Sequence, residues 1–250
     1  MTEREIRKRW NETSKGYQED AKMGTKSAHY GPFSPDESKL RLLGNVKGKK
    51  ILELGCGGGQ CSIAFTKQGA KCTGIDISEE QLKFAKALAK KEKVKIKFIL
   101  GSFQDLSKIK SKSQDIVFSA FALFYSPDLN KVFKQVYRIL KKNGLFVFSF
   151  GHPFFDSLSP KTLKIDKDYN KSGKYVEIDI WPDGTKHKFI MYRRKISEIY
   201  DGLLQAGFFL EKIIEPFDAK AYRVSRWKKI YPMKLIKLIG PTIIFKARKK

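Results

Sequence analysis

Short apolar segments recur along the chain, and polar or amphipathic stretches separate them. Apolar runs of this length, bounded by turn residues, predict buried strands. The run at 145–150 is apolar throughout, which predicts a central strand with both faces covered. The predicted strands are Lys50–Leu54, a run that ends at Asp76, Val94–Leu100, Asp115–Ser119, Leu145–Phe150, Phe208–Pro216 and Thr242–Ala247.

Helical periodicity fills the stretches between several of these strands. Ser78 is a predicted N-cap, and apolar residues recur on one helical face from there to about Lys91. Asp128 predicts the start of a second helix that runs to Leu140, where Lys141–Gly144 would stop it. Ser197 predicts the start of a third helix, which ends at Ala206-Gly207.

A glycine-rich turn follows the first strand and carries the strongest chemical signal of the chain. Gly55, Gly57 and Gly59 alternate with other residues directly after the acid Glu53, and the next strand ends in a second acid, Asp76. Glycines let the backbone pass close to a ligand, and an acid at the second strand end can bind both hydroxyls of a ribose. The layout therefore predicts a nucleoside-binding βαβ unit.

The spacing of this turn argues against a dinucleotide. A dinucleotide fingerprint that begins at Gly55 requires a small residue where Gln60 stands. Glu53 would also repel a pyrophosphate in a cleft of low dielectric, whereas it suits a cationic ligand. S-adenosylmethionine carries an amino group and a sulfonium and has no phosphate.

At these residues the chain resembles the class I S-adenosylmethionine-dependent methyltransferases, in their ubiquinone/menaquinone-biosynthesis-like (type 11) branch. The motifs that carry the resemblance are Glu53–Gly59, Asp115–Ser119 and Arg138–Gly144. The resemblance implies a Rossmann-like α/β fold with a seven-stranded, mostly parallel sheet, helices on both faces and one antiparallel strand near an edge. It implies S-adenosylmethionine as the cofactor and methyl transfer by in-line displacement as the reaction.

The length of 250 residues predicts one domain with four parts. We expect an N-terminal helical cap at 1–48, a cofactor-binding core at 49–150, a substrate-side insertion at 151–195, and a C-terminal helix with the last two strands and a basic tail at 196–250. The cap and the insertion are expected to fold over the cofactor and to define the substrate pocket.

The resemblance also implies which residues contact the cofactor. Ser102 stands where the family usually has an aspartate that holds the adenine amino group, so Ser102, Gln104, Asp105 or a water would make that contact. Phe103 either lies against the adenine or anchors its loop to the core. The expected cofactor-binding residues are Glu53, Gly55, Cys56, Gly57, Gly59, Asp76, Ile77, Ser102, Phe103 and Ser119.

Two residues are candidates for catalytic work. His152 directly follows the fifth strand and is either a general base or a histidine that caps the strand. Tyr17 corresponds to a tyrosine that in the family lies over the methionine part of the cofactor, or else it packs with Trp10. The expected substrate-binding residues are Tyr30, Phe124, Tyr192 and Arg193, the last against an acidic substrate.

Motifs of nucleic-acid base methylation do not occur. Ser119–Ala122 replaces the Asn/Asp-Pro-Pro-aromatic motif of amino-directed enzymes, and no cysteine follows Cys72 as cytosine-C5 chemistry would need. A small organic acceptor is therefore the leading prediction. A tRNA (wobble-type) methyltransferase and a non-catalytic cofactor-binding partner protein stay open as alternatives, as does the oligomeric state.

The net charge of +25, from 51 basic and 26 acidic residues, adds one possible partner class. The segment Ala221–Tyr231 mixes aromatics with cations and could contact RNA or an anionic membrane, but lysines spread along the whole chain equally suit a solvated basic surface. Three cysteines without metal-ligand spacing predict no metal site. The start resembles no secretory signal, and no apolar run is long enough to span a bilayer, so we expect a cytoplasmic protein.

Overall fold

The computed structural model describes residues 3–180, 186–218, 220 and 232–250 and shows an α/β fold built on a seven-stranded sheet. The strands of the sheet are β1 (Lys50–Leu54), β2 (Lys71–Asp76), β3 (Lys97–Leu100), β4 (Gln114–Ala120), β5 (Leu140–Gly151), β8 (Phe208–Ile214) and β9 (Thr242–Lys249). A separate hairpin consists of β6 (Gly173–Ile180) and β7 (Lys186–Arg193).

The order of strands in the sheet is β3-β2-β1-β4-β5-β9-β8. The first five of these neighbours pair in parallel, whereas β9 runs antiparallel to both β5 and β8. The predicted Rossmann-like sheet, with one antiparallel strand next to an edge, is confirmed. The carboxyl ends of β1, β2 and β4 therefore meet at one edge of the sheet, where ligands of such folds bind.

The helices are α1 (Glu3–Ala21), α2 (Glu37–Leu40), α3 (Gln60–Lys67), α4 (Glu79–Lys91), α5 (Leu129–Ile139), α6 (Ile196–Gln205) and α7 (Met233–Ile236), with single 3₁₀ turns at Leu123–Tyr125 and Phe155–Ser157. Ser78 caps α4 by accepting from the backbone N–H of Gln81, and Asp128 caps α5 in the same way through Lys131. No described helix combines the length and the apolar character needed to cross a membrane.

Several predicted boundaries were wrong by one to a few residues. Helix α6 begins at Ile196 with Lys195 as its N-cap residue, so Ser197 lies inside the helix. Helix α5 ends at Ile139 and the chain enters β5 at once, so Lys141–Gly144 lie within that strand and do not form a helix stop. Leu140 already pairs with Gln114, and the register then shifts before Leu145 because Asn143 adopts a left-handed conformation, φ 62°. Strand β3 begins at Lys97 and not at Val94, whose N–H bonds to Ala89 at the end of α4.

Separate apolar clusters cover the two faces of the sheet. One packs α5 and α6 against alternate residues of β1, β4, β5 and β9, and the other packs α3 and the 28–46 segment against the opposite face. Phe148 and Phe245 stack across β5 and β9 with ring centroids 5.1 Å apart. This covering on both sides explains why the central strands are almost wholly apolar.

Two elements outside the sheet lie beside its ligand edge. Helix α1 packs against α4 and β7, and the β6–β7 hairpin occupies the stretch between β5 and α6. Trp10 of α1 meets Phe189 of β7 edge to face at 6.0 Å between ring centroids. The N-terminal segment and the insertion therefore contact each other above the carboxyl ends of the strands.

Candidate active site

The turn between β1 and α3 leaves room for a ligand because it lacks side chains. Gly55, Gly57 and Gly59 all adopt positive φ, at 65°, 51° and 78°. A Cβ on Gly55 would lie 2.4 Å from the Cβ of Ala122, which no structure tolerates. The chain after β4 therefore approaches the turn so closely that glycine is required there.

Asp76 connects the second strand to this turn. Its Oδ2 accepts from the N–H of Gly57 at 2.8 Å, and its Oδ1 accepts from the N–H of Ser78 at 2.9 Å. Burial nevertheless raises the pKa of Asp76 to about 6, and the backbone hydrogen bonds only partly oppose that rise. The carboxyl group is thus held in a fixed orientation at the edge of the sheet.

Glu53 lies below the turn and is buried. The N–H of Ser62 in α3 donates to its Oε2 at 2.8 Å. Burial raises the pKa of Glu53 to about 7, and the nearby charge of Asp76 adds to the effect. Two buried carboxyl groups with raised pKa values favour a cationic ligand, because a positive charge would stabilise their ionised forms.

A cavity of about 910 Å³, including its open mouth and called here the first cavity, lies at this turn. Of the ten residues that the sequence indicated for cofactor contact, eight line it: Glu53, Gly55, Cys56, Gly57, Asp76, Ile77, Ser102 and Phe103. Gly59 does not line it but begins α3 as its N-cap residue. The geometry thus brings together most of the set drawn from the two strand ends.

Ser119 has a different place from the one expected. Its side chain is fully buried, donates to the carbonyl of Leu54 at 2.9 Å, and is not among the lining residues of the first cavity. The hydroxyl group ties β4 to β1 from within the sheet. The next residues, Ala120–Ala122, line the cavity in its place.

Glu3 of α1 enters the first cavity at the turn after β3, and the sequence analysis did not find it. Its Oε1 accepts a hydrogen bond from Nε2 of Gln104 at 2.7 Å and another from the hydroxyl of Ser102. A carboxylate is therefore present where Ser102 replaces the expected aspartate, but it comes from the other end of the chain. A single acid in an exposed-looking amphipathic helix gives no sequence signal of such a contact.

Helix α1 also closes over the glycine turn through glutamine side chains. Gln18 donates to Oε1 of Gln81 at 2.7 Å and accepts from Nε2 of Gln60 at 2.7 Å. A Cβ on Gly58 would lie 2.6 Å from Oε1 of Gln18. A side chain at Gly58 would therefore displace the amide group of Gln18 from the turn.

His29 also lines the first cavity. Burial lowers its pKa to about 4, so its imidazole is neutral at neutral pH. Its carbonyl oxygen accepts from the thiol of Cys61 at 3.9 Å. The sequence alone indicated a loop here without fixing where this side chain points.

A second cavity of about 1370 Å³, including its open mouth, lies next to the first. The two cavities share Trp10, Tyr17, Phe121 and Tyr125 among their lining residues. Trp10 meets Tyr17 edge to face with ring centroids 5.2 Å apart, and it meets Tyr125 at 5.8 Å. These four residues, called here the aromatic boundary, lie between the two cavities and line both of them.

Three of the four expected substrate-binding residues line the second cavity. They are Phe124, Tyr192 and Arg193. Tyr30 does not, which makes its expected position wrong: it is fully buried, packs on Phe118 at 5.5 Å, and donates to Glu37 Oε2 at 2.5 Å. Glu37 in turn accepts from the N–H groups of Leu42 and Leu43, so Tyr30 completes a buried turn in the 28–46 segment.

His152 is buried beside the sheet and outside the lining of both cavities. Its Nδ1 accepts from the N–H groups of Phe154 and Phe155, and its Nε2 lies 2.7 Å from Oε1 of Glu215. Both ring nitrogens are therefore engaged in holding the turn after β5. This geometry matches the capping alternative and gives the general-base prediction no support.

The three cysteines are buried and reduced. Burial raises the pKa of Cys56 and Cys61 well above the usual range and that of Cys72 to about 12, so the thiols stay protonated. Within the described part of the chain, no three His, Cys, Asp or Glu side chains come together as a metal site would need.

Comparison with known proteins identifies the family. The family model described as "Methyltransferase domain" matches residues 52–148, which contain the glycine turn, Asp76 and strands β2 to β4. The fold superposes on a crystal structure from Listeria monocytogenes, described as an S-adenosylmethionine-dependent methyltransferase, with a TM-score of 0.66, 25% identity, and coverage of 84% of this chain and 95% of that one. Residues 52–148 thus carry a methyltransferase domain, and the protein is an S-adenosylmethionine-dependent methyltransferase.

Two sequence relatives of this methyltransferase differ in how much they share. A protein of unassigned function from Haemophilus influenzae is 28% identical over 220 residues, covering 84% of this chain and 85% of that protein. The ubiquinone biosynthesis O-methyltransferase of Bordetella avium is 33% identical over 108 residues, covering 43% of this chain and 45% of that protein. The match to the second relative thus covers less than half of that relative's length.

The family binds S-adenosylmethionine and transfers its methyl group, and the predicted cofactor class and reaction class are confirmed at that level. The residues of the site fit this cofactor. The glycine turn leaves the space that a nucleoside needs, and the two buried carboxyl groups provide negative charge without a phosphate-binding group.

Proposed function

We propose that this methyltransferase transfers the methyl group of S-adenosylmethionine to a small organic acceptor bound in the second cavity. One observation carries the proposal: the first and second cavities share the aromatic boundary of Trp10, Tyr17, Phe121 and Tyr125. A methyl donor in one cavity and a nucleophile in the other would meet at that boundary. A concave, largely aromatic cavity of this kind is typical of small-molecule sites.

In this proposal each end of the first cavity holds one part of the cofactor. Asp76 binds the ribose hydroxyls, and Phe103 lies beside the adenine. Glu3, with Ser102 and Gln104, accepts from the adenine amino group. The methionine part lies toward Glu53 and Tyr17, where a buried carboxylate and an aromatic face both favour positive charge.

The bound cofactor supplies an activated methyl group, so the protein has to supply position and a dry environment. Holding the nucleophile in line at about van der Waals distance provides much of the rate. The aromatic boundary fixes that approach and excludes water from the sulfonium. His29 adds no positive charge beside the cationic cofactor, because its pKa of about 4 keeps it neutral.

The Bordetella avium relative supports a small acceptor, since its name describes an O-methyltransferase of ubiquinone biosynthesis. Oxygen is therefore one candidate acceptor atom. The tRNA alternative rests on Ala221–Tyr231, which lies outside the described residues, and it stays a prediction. The cytoplasmic location and the non-catalytic alternative also stay predictions.

The test is to incubate the protein with methyl-labelled S-adenosylmethionine and separate small-molecule, lipid and RNA pools. We expect label in the small-molecule pool. Met191→Trp, which fills the second cavity from β7, should abolish labelling while S-adenosylhomocysteine still binds. Val176→Trp on the facing strand is the matched control, because Val176 is 47% exposed and outside both cavity linings. Label in RNA, or full activity of Met191→Trp, would contradict the proposal.

A further inference from the structure

The end of the second cavity that lies away from the cofactor is built around arginine. Four of its lining residues also line an outer pocket: Ser172, Tyr192, Arg193 and Arg194. None of these belongs to the aromatic boundary, which the second cavity shares with the first cavity. The part of the second cavity that it shares with the outer pocket is called here the far end.

The guanidinium of Arg194 already forms hydrogen bonds within the protein. Its guanidinium donates to the carbonyl oxygens of Ser126 and Tyr192. These bonds fix the chain between β7 and α6 against the turn before α5. Arg194 is therefore part of the wall and not a group that waits for a ligand.

Arg193 differs from its neighbour. Its Nε is buried and has no hydrogen-bond partner among the residues that the structure describes. Its guanidinium carbon lies 4.4 Å from the centroid of the Tyr175 ring, which supports the plane of the group from one side. A buried donor without an acceptor is unfavourable by itself, so the geometry indicates a missing anionic or carbonyl partner.

Asp128 and Glu198, the two acids that line the outer pocket, form hydrogen bonds within the protein. Asp128 caps α5 through the N–H of Lys131. Glu198 accepts from the N–H of Lys195 at 2.7 Å and from the hydroxyl of Ser172 at 2.5 Å. Asp156 and Asp168 line the second cavity but are not shared with the outer pocket. The supported guanidinium of Arg193 therefore remains the group at the far end that suits a charged ligand.

We infer that the acceptor carries a carboxylate, which Arg193 binds at the far end of the second cavity, and an apolar or aromatic body that extends to the aromatic boundary. This inference rests on the proposed function and specifies its substrate class. Arg193 recognises a carboxylate through its planar fork of N–H donors. Because Arg193 lines the second cavity and the outer pocket but not the first cavity, the carboxylate is the recognition group and a different atom of the acceptor receives the methyl group.

The experiment measures binding and needs no turnover. The protein is saturated with S-adenosylhomocysteine, and ligand-observed NMR then compares aryl carboxylates from benzoate to 4-phenylbutyrate with their primary amides. We expect at least one acid to bind about 10- to 100-fold more tightly than its amide, as loss of a charge-assisted hydrogen bond to a buried group implies. Arg193→Gln should remove this preference, and Arg193→Lys should restore part of it.

Lys171→Gln is the matched control, because Lys171 is an exposed cation in the lining of the same cavity. It should keep the preference for acids. Equal binding of acids and amides, binding of neither, or an unchanged preference in Arg193→Gln would overturn the inference. The affinity for S-adenosylhomocysteine is measured in parallel. If the wild-type protein does not bind S-adenosylhomocysteine, the proposed function is contradicted. If all variants bind it with the wild-type affinity, any change in the preference for acids is due to Arg193 itself.

Discussion

Nε2 of Gln104 donates to Oε1 of Glu3 at 2.7 Å, although 101 positions separate the two residues in the chain. The contact joins the first turn of α1 to the turn after β3 and puts a carboxylate at that end of the first cavity. An adenine amino group bound there would find a carboxylate beside Ser102 and Gln104.

Glu3→Gln should therefore weaken S-adenosylhomocysteine binding by about tenfold, because a charge-assisted hydrogen bond becomes a neutral one. The same variant should bind S-inosylhomocysteine, whose ring presents a carbonyl in place of the amino group, relatively better than the wild-type protein does. Calorimetric titration with both ligands checks the prediction. Glu5→Gln on the exposed side of α1 is the control, and equal ligand preference in all three proteins would contradict it.

Asp76→Asn should reduce cofactor affinity by about 100-fold, since an amide oxygen replaces the carboxylate that binds both ribose hydroxyls. The fold should survive, because one oxygen still accepts from Gly57 or Ser78 and a buried charge has been removed. Calorimetry gives the affinity and thermal unfolding gives the stability. Asp201→Asn, an exposed acid of α6 outside both cavity linings, is the control that should change neither.

The two buried carboxyl groups predict how stability and binding depend on pH. Their pKa values rise from 3.8 and 4.5 to about 6 for Asp76 and about 7 for Glu53. A raised pKa in the folded state contributes stability below the unfolded value that is lost as the pH rises through the folded value. The free energy of unfolding of the ligand-free protein should thus fall as the pH is raised from about 4 to about 7.

Cofactor affinity should change in the opposite direction, because the cationic cofactor favours the ionised carboxylates. We expect S-adenosylmethionine to bind about tenfold more weakly at pH 5.5 than at pH 8, with protons released on binding near pH 6. Calorimetry in two buffers of different ionisation enthalpy measures both quantities. Glu53→Gln should remove the part of the dependence near pH 7, and an affinity independent of pH would contradict the role given to both acids.

His152→Ala should act on stability and leave the chemistry intact. The substitution leaves the N–H groups of Phe154 and Phe155 without their acceptor, which costs about 2 kcal/mol or more of unfolding free energy. Urea denaturation measures that loss. The pH profile of turnover should keep its shape at a temperature where the variant is folded, and an acidic limb that disappears in the variant would restore the general-base hypothesis.

The sequence was sufficient wherever a local pattern had one physical meaning. Apolar runs predicted the seven strands, and the glycine spacing between Glu53 and Asp76 predicted the cofactor edge of the sheet. Such features depend on neighbours in the chain, because strand burial and positive φ are properties of short segments. The position of Phe124 after the fourth strand indicated this edge as well, whereas Tyr192 and Arg193 were indicated by the resemblance to the methyltransferase family; all three line the second cavity.

Features that depend on long-range packing could not be obtained in this way. Glu3 looks like any acid in an exposed helix until α1 is laid on the turn after β3. Tyr30 is an expected substrate-binding residue, yet its hydroxyl group turns inward to Glu37. Ser119 ends a strand on the correct edge, but its side chain points into the sheet and bonds Leu54. In each case the direction of one side chain determines whether the residue lines a cavity, and the sequence pattern does not fix that direction.

Among the strands that the structure describes, β8 pairs with β9 alone, and β9 also completes the hydrogen bonding of β5. Trimming the chain back to Thr242 would therefore leave two unpaired strand edges, one of them the apolar edge of β5. Open edges of that kind recruit strands from other molecules. Shortened forms of the protein should precipitate even though every residue of the first cavity is still present.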